Sequence, residues 1–192
     1  MTLLRTMPVD DPSSTLSLTE DPAGITKFLA DAGIRYERWD TDRGLAADAA
    51  EEAVLAAYRT EIDAVSAAGD YRFIDVVRMR PAPDDPTWPE KARTARSRFL
   101  EEHRHAEDEV RFFPAGRGCF YLHIDDRVHA VVCEAGDLLS VPAGTVHWFD
   151  MGTVPEFTAV RFFQKEDGWV GDFVENSIAS RFPTLDQIQA ER

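Results

Sequence analysis

Three histidines and one glutamate in this 192-residue chain are spaced as metal ligands would be. His103 and His105 are two residues apart, and in an extended strand such a pair points to the same face. Glu109 follows after a short turn, and His147 comes after the turn at residues 141–144. Two imidazoles and a carboxylate suit a redox-active divalent metal such as iron, and a third imidazole is compatible with iron, nickel, copper, manganese or zinc. Because the group contains no cysteine, the pattern argues against a structural zinc site.

The remaining histidines and the nearby acidic residues are predicted to have other roles. His123 and His129 have no partner at ligand spacing, so we expect solvated or hydrogen-bonded imidazoles. Four acidic side chains around the ligand group are predicted to form a solvated rim rather than a second metal site. They are Glu101, Glu102, Glu107 and Asp108.

Composition restricts the class of protein and its partners. The chain has 35 acidic and 21 basic residues, a net charge of −14 and a pI of about 4.7. Such a charge repels phosphate backbones and anionic lipid, so nucleic acid and membranes are poor partners, and it favours a monomer. No stretch approaches the ~20 apolar residues of a membrane span, and residues 1–14 lack the features of a signal peptide, which predicts a cytoplasmic protein. The two cysteines, Cys119 and Cys133, are expected to be free thiols.

Hydrophobic patterning predicts three helices before the ligand group. They cover residues 22–32, 46–68 and 91–100, with Gly33 and Gly69 at the ends of the first two. Residues 15–19 alternate like an edge strand, and residues 71–79 resemble a strand that ends at a proline-rich stretch.

The second half of the chain has the pattern of a β protein. From residue 109 to about 174 there is no helical period, only short β-rich runs separated by turn residues, the first of which is Pro114-Ala115-Gly116. Several short strands at roughly 8–12-residue spacing predict a sandwich or barrel, and a double-sheet jelly roll would accommodate them. Residues 186–192 are predicted to be a short helix or frayed tail.

Two sequence blocks resemble the paired motifs of the cupin superfamily, and their glycines and proline stand where tight β-turns need them. The longer stretches 102–113 and 141–152, together with Arg161-Phe162-Phe163, resemble the acireductone dioxygenase family, over nearly the whole chain. Met151 replaces the asparagine that usually closes the second cupin motif. The blocks are His103-x-His105-x3-Glu109-x6-Gly116 and Gly136-x5-Pro142-x-Gly144-x2-His147.

The resemblance implies a mainly β fold, namely a cupin double-stranded β-helix, or jelly-roll barrel, with N-terminal α-helices. We expect one domain over residues 1–192, because the length leaves little room for a second. Within it, residues 1–100 are expected to form N-terminal helices and strands, 101–175 the barrel core and 176–192 a C-terminal tail.

The resemblance also implies the chemistry. One Fe(II) or Ni(II) ion per chain would be bound by His103, His105, Glu109 and His147, with two cis positions left open. The family's substrate is 1,2-dihydroxy-3-keto-5-methylthiopentene, an acireductone of methionine salvage, which is cleaved by O2. The iron form yields formate and 4-methylthio-2-oxobutanoate, and the nickel form yields carbon monoxide, formate and 3-methylthiopropanoate.

Neighbouring side chains suit this substrate. Arg111 lies two residues beyond Glu109 on the same strand face and would supply a permanent cation for an enediolate, with Arg161 as a second candidate. Phe99, Phe149 and Trp169 are candidates for apolar walls around a methylthio tail, because aromatic edges accommodate sulfur well. Ordinary core packing is the alternative role for each of these three rings.

Two other functions remain open at the level of sequence. One is a cupin enzyme with different chemistry, either a dioxygenase acting on another enediol or thiol or a metal-dependent isomerase. The other is a non-catalytic cupin that binds a small ligand; no basic segment or helix-turn-helix supports a DNA-binding regulator.

Overall fold

The computed structural model describes all 192 residues and consists mainly of antiparallel β-strands, as predicted. The strands are β1 (Leu3–Pro8), β2 (Ser17–Thr19), β3 (Arg35–Arg38), β4 (Phe73–Met79), β5 (His103–Arg104), β6 (Glu109–Ile124), β7 (Arg127–Glu134), β8 (Asp137–Val141), β9 (Val146–Asp150), β10 (Phe157–Phe163) and β11 (Asp172–Phe173). The helices are α1 (Pro22–Asp31), α2 (Glu51–Ala57), α3 (Arg59–Gly69), α4 (Trp88–Ser97) and α5 (Leu185–Ala190), with a 3-10 turn at Ala179–Arg181. None of the helices has the length and apolar character needed to cross a membrane.

The strands form two sheets that share β6. The first sheet has the order β11-β5-β9-β6-β7-β1-β2, and the second has the order β4-β10-β6-β8-β3. The first half of β6 pairs with β8 and β10, and its second half pairs with β7 and β9. The strands β5, β6 and β9, which contain the four predicted metal ligands, are therefore adjacent.

The predicted end of a strand at Pro114-Ala115-Gly116 is wrong, because β6 continues through these residues. Gly116 has φ = +73°, and a Cβ atom there would collide with the backbone of Glu156 and Phe157. Glycine lets the strand change sheets at this point instead of ending.

The single predicted helix over residues 46–68 is also wrong. It is divided into α2 and α3 at Tyr58, whose φ of −114° leaves the helical region. The Tyr58 side chain is fully buried, and its ring centroid lies 4.7 Å from that of Phe112. Packing against the second sheet therefore outweighs the high helix propensity of this segment.

The other predicted elements have approximately the expected positions. The helices near residues 22–32 and 186–192, the edge strand within 15–19 and the strand at Phe73–Met79 are confirmed. Helix α4 begins at Trp88, three residues earlier than predicted, because Pro89 lies in its first turn, where no N–H is required. Strands β1 and β3 were not predicted. Arg5 and Thr6 interrupt the apolar pattern of β1, although both are buried.

The largest apolar core cluster lies between the sheets and is closed on one side by α1. Both cysteines are buried free thiols, which confirms that prediction. They face different core clusters, with Cys133 in the cluster between the sheets and Cys119 in the one beneath the C-terminal segment.

Candidate metal centre

The four proposed ligands converge at one position. One ligand atom from each of His103, His105, Glu109 and His147 lies within 4.8 Å of the others. His103 pairs directly with His147 in the β5–β9 ladder, which aligns their side chains on the same face. The turn before β9 is held in place because the Gly144 N–H donates to the His105 carbonyl oxygen at 3.0 Å.

Each ligand histidine is oriented by its second ring nitrogen. The three Nδ1 atoms lie next to backbone carbonyl oxygens, which can only accept, so each Nδ1 carries a proton and Nε2 is the ring nitrogen left to bind a metal. The distances are 2.8 Å from His103 to Glu101, 2.9 Å from His105 to Val170 and 2.8 Å from His147 to Thr145.

Glu109 lies at the centre of the group. Its Oε2 is 2.7 Å from His147 Nε2 and 3.0 Å from His105 Nε2, and its Oε1 accepts from Arg111 at 2.8 Å. Burial alone would raise the pKa of Glu109, but the Arg111 guanidinium and the two imidazoles outweigh it and hold that pKa well below its usual value. The carboxylate is therefore ionised, as a metal ligand must be.

His103 is also in the protonation state that a metal requires. Burial, followed by the nearby His147, lowers the pKa of His103 to about 4. Its imidazole is neutral at pH 7 and can offer a lone pair.

This donor set fits a divalent transition metal. Three imidazoles and one carboxylate form a hard-to-intermediate N3O set that suits Fe(II) and Ni(II), and no thiolate is present to favour a structural zinc site. The four side chains are buried, and the backbone carbonyl oxygens contact only the Nδ1 atoms of the imidazoles, so they do not occupy the metal-binding position.

A cavity of about 730 Å³ includes three of the four ligands in its wall. The cavity wall also contains every residue predicted to contact substrate, together with several residues that no sequence pattern indicated. The predicted lining residues are Phe99, Arg111, Phe149, Arg161 and Trp169. The lining residues that were not predicted include Val77, Met79, Arg98, Phe113, Phe120, Phe157, Ala159 and Phe173.

Arg111 and Arg161 lie on the same part of the cavity wall, and both contact the Phe163 ring. Each guanidinium carbon is 5.2 Å from the centroid of the Phe163 ring. Arg161 donates twice to its cross-strand neighbour Asp75, at 2.7 and 2.5 Å. Burial lowers the pKa of Arg111, although Glu109 opposes that shift, and Arg111 keeps its charge because an arginine pKa is so high.

The prediction of a solvated acidic rim is wrong for Glu102 and Glu107, which are buried. Glu102 lies 2.6 Å from His123 Nδ1 and accepts from the Ile178 N–H at 2.8 Å. Glu107 accepts from the backbone N–H groups of residues 164 and 165, at 2.5 and 3.2 Å. These carboxylates serve as anchors for the segment that follows β10, which brings Trp169 and Phe173 to the cavity.

A two-sheet β fold with three histidines and one glutamate on neighbouring strands defines a cupin-type metalloprotein. A model of the family described as "ARD/ARD' family" matches residues 10–171. The chain belongs to this family, which confirms the predicted family and fold.

High sequence identity to named proteins supports the same family assignment. The chain is 59% identical over 188 residues to "Acireductone dioxygenase 1" of Nocardia farcinica, covering 98% of this chain and 99% of the relative. It is 50% identical over 192 residues to "Acireductone dioxygenase" of Saccharopolyspora erythraea, covering 100% of both.

A solved structure has the same fold. It is "Acireductone dioxygenase from Bacillus anthracis with cadmium ion in active center", with a TM-score of 0.74 and 30% identity. The match covers 90% of this chain and 98% of that one.

Proposed function

We propose that this protein is an acireductone dioxygenase of methionine salvage that cleaves 1,2-dihydroxy-3-keto-5-methylthiopentene with O2. The products are 4-methylthio-2-oxobutanoate and formate with iron, and 3-methylthiopropanoate, formate and carbon monoxide with nickel. The observation that carries this proposal is the convergence of three oriented Nε2 atoms and an ionised carboxylate on the wall of a cavity.

One Fe(II) or Ni(II) ion would be held by His103, His105, Glu109 and His147. When bound, this ion supplies Lewis-acid and redox chemistry to the enediol and dioxygen. The chain's own contribution is preorganisation: the Nδ1–H groups fix the imidazoles, and Arg111 keeps the Glu109 carboxylate charged and in place.

The two cavity arginines would orient the oxygen atoms of the substrate. Arg111 and Arg161 are immobilised by Glu109 and Asp75, so their remaining N–H donors keep a constant direction. A permanent cation beside an enediolate stabilises negative charge without changing its own protonation state.

The apolar part of the wall would receive the methylthio tail. Phe99 and Phe149 are fixed relative to each other because the Phe149 N–H donates to the Phe99 carbonyl oxygen at 2.8 Å. Trp169, about half exposed, would cover the tail from the solvent side. Aromatic edges also give favourable contacts to sulfur.

We infer further that the enzyme acts as a monomer in the cytoplasm, with the acireductone and O2 as its partners rather than nucleic acid or membranes. The net charge of −14 supports the monomer and opposes polyanionic partners. Two free, buried thiols are consistent with a reducing compartment. Size-exclusion chromatography with light scattering would test the monomer, since a dimer mass of about twice 21.6 kDa contradicts it.

The test of the proposed activity compares metal-free, Fe(II)-loaded and Ni(II)-loaded protein with the acireductone under O2. We expect substrate consumption only with metal, the keto acid from the iron form and carbon monoxide from the nickel form. Unimpaired turnover by metal-free protein contradicts the proposal. Turnover of a different enediol or thiol in place of the acireductone would indicate another cupin enzyme, and binding of acireductone without oxygen uptake would indicate a ligand-binding cupin.

A further inference from the structure

The cavity wall contains three arginines, and two of them already have carboxylate partners. Arg111 is paired with Glu109 at 2.8 Å, and Arg161 is paired with Asp75 through two hydrogen bonds. The third, Arg98, makes no ion pair and no side-chain hydrogen bond within the whole chain. Arg98 is therefore the only cation on the wall whose charge no carboxylate of the protein compensates.

Arg98 is exposed, yet its backbone is well fixed. It is the C-cap residue of α4, just before Phe99 in the cavity wall. On one side, Arg96 donates twice to the buried Asp150 of β9, at 2.7 and 2.9 Å. On the other side, the Phe99 carbonyl oxygen accepts from the Phe149 N–H. These two anchors, two residues before Arg98 and one after it, hold the end of α4 against the ligand-bearing strand β9.

The charge of the whole molecule makes an uncompensated cation at this place significant. An enediol conjugated to a ketone is acidic, so the substrate approaches as an anion, and a protein of net charge −14 repels it. Arg111 and Arg161 offer less attraction at a distance, because each lies beside a carboxylate that cancels most of its field.

We propose that Arg98 is an entry residue that attracts the enediolate anion and binds it first at the cavity opening. This inference rests on the proposed function, because it takes the acireductone as the substrate. Arg98 would act on capture of the substrate and not on its cleavage, since its exposed charge interacts across water and is screened by salt.

The experiment compares Arg98→Gln with Arg98→Lys and with a matched control, Arg93→Gln. Arg93 is also exposed and unpaired and lies on the same helix, but it does not line the cavity, so its replacement changes the net charge by the same amount. Steady-state kinetics of the Fe(II) proteins would be measured with acireductone at about 20 mM and about 500 mM ionic strength. Metal content and thermal unfolding midpoints confirm that each variant is intact.

We expect Arg98→Gln to lower kcat/KM about three- to tenfold at low ionic strength and less than about twofold at high ionic strength, because the Debye length falls below about 5 Å there. The value of kcat should stay within about twofold of wild type. Arg98→Lys should keep most of kcat/KM, and Arg93→Gln should leave it unchanged.

An equal loss in Arg93→Gln and Arg98→Gln would overturn the inference, since only the global charge would then matter. A loss confined to kcat, or a loss of kcat/KM that persists at high ionic strength, would also overturn it. If wild-type Fe(II) protein does not consume acireductone, the proposed function fails. If wild type is active and Arg98→Gln behaves like wild type, only the inference fails.

Discussion

The cavity side of the molecule and the outer part of the first sheet both contain buried histidines, but only the cavity side can bind a metal. His129 on β7 is 5% exposed, about the same as His105 at 6%. Its Nδ1 lies 3.0 Å from the Thr6 hydroxyl, and its ring packs 4.9 Å from that of Phe28. His129 is not part of any group of three or more possible metal ligands. Burial alone therefore does not distinguish a ligand from a core histidine.

His123 provides a second contrast. Its Nδ1 lies 2.6 Å from the carboxylate of Glu102, whose other oxygen accepts from the backbone of Ile178. This imidazole connects β6 to the C-terminal segment and belongs to a structural network. The ligand histidines differ because their Nδ1 atoms face carbonyl oxygens and their Nε2 atoms converge on Glu109.

The largest effect should come from removing a ligand on the cavity side. We expect His147→Ala to lose most of its bound metal and to reduce acireductone turnover at least about 100-fold, because the site loses one of four donors. The matched variant His129→Gln should retain one ion per chain and near-normal turnover. Elemental analysis and oxygen uptake would measure both. Normal metal content in His147→Ala would remove His147 from the ligand set.

The next effect concerns the arginine that is paired with a ligand. Arg111→Gln should lower kcat/KM about 100-fold, as loss of an oxyanion-stabilising donor does, because both the substrate cation and the partner of Glu109 are removed. Arg111→Lys should recover only part of this loss, since lysine lacks the planar fork. The control is Arg127→Gln, an exposed arginine on β7 that lies outside the cavity. Unchanged kcat/KM in Arg111→Gln would show that this guanidinium is structural only.

A smaller effect should separate the two kinds of buried phenylalanine. Phe149 lines the cavity, whereas Phe112 packs against Tyr58 and Trp39 in the core. We expect Phe149→Leu to raise KM about tenfold for the methylthio substrate but much less for an analogue that lacks the thioether tail, because lost apolar contacts in a pocket cost roughly 1–3 kcal/mol. Phe112→Leu should lower thermal stability and leave both KM values unchanged. Equal KM changes for both substrates would place the tail elsewhere.

The smallest effect on turnover, but a clear one on stability, should come from His129. Burial, and then the charge of Arg127, lowers the pKa of His129 to about 4, so the folded protein takes up a proton there less readily than the unfolded chain does. The folded state is therefore most stable, as far as His129 is concerned, above a pH of about 6.5, where the imidazole is neutral in both states. As the pH falls from about 6.5 towards 4, the unfolded chain binds the proton first, and the free energy of unfolding decreases by at most about 3 kcal/mol. We therefore expect the free energy of unfolding, measured with denaturant, to decrease more for wild type than for His129→Gln as the pH is lowered over this range. A difference independent of pH would show that His129 does not titrate in this way.

Part of the candidate ligand set could be predicted from the sequence because it depends on local geometry, whereas the position of His147 beside His103 depends on the pairing of β5 with β9 and was indicated by the spacing of the two cupin-like blocks. The two-residue spacing of His103 and His105 and the turn at Gly144 are features of single strands and tight turns. The mainly β fold followed from strand spacing for the same reason. Phe99, Phe149 and Trp169, the aromatic residues proposed to contact substrate, could be selected only through their strand faces and the family resemblance.

Features that depend on contacts between residues far apart in the chain could not be predicted from the sequence. Asp75 is the partner of Arg161 only because β4 pairs with β10, and Glu102 is buried only because the segment at Ile178 covers it. The division of the predicted helix at Tyr58 likewise results from contact with Phe112 on strand β6. In each instance a tertiary contact changes the environment that local sequence suggests.

A metal titration of the active protein tests the central claim most directly. Metal-free protein would be titrated with Fe(II) under anaerobic conditions, and each sample would then be assayed for acireductone consumption on addition of O2. We expect activity to increase linearly and to stop increasing at one ion per chain. We also expect His129→Gln to give the same endpoint and His147→Ala to give no activity at that ratio. Activity without added metal, or the same endpoint in His147→Ala as in wild type, would contradict the central claim.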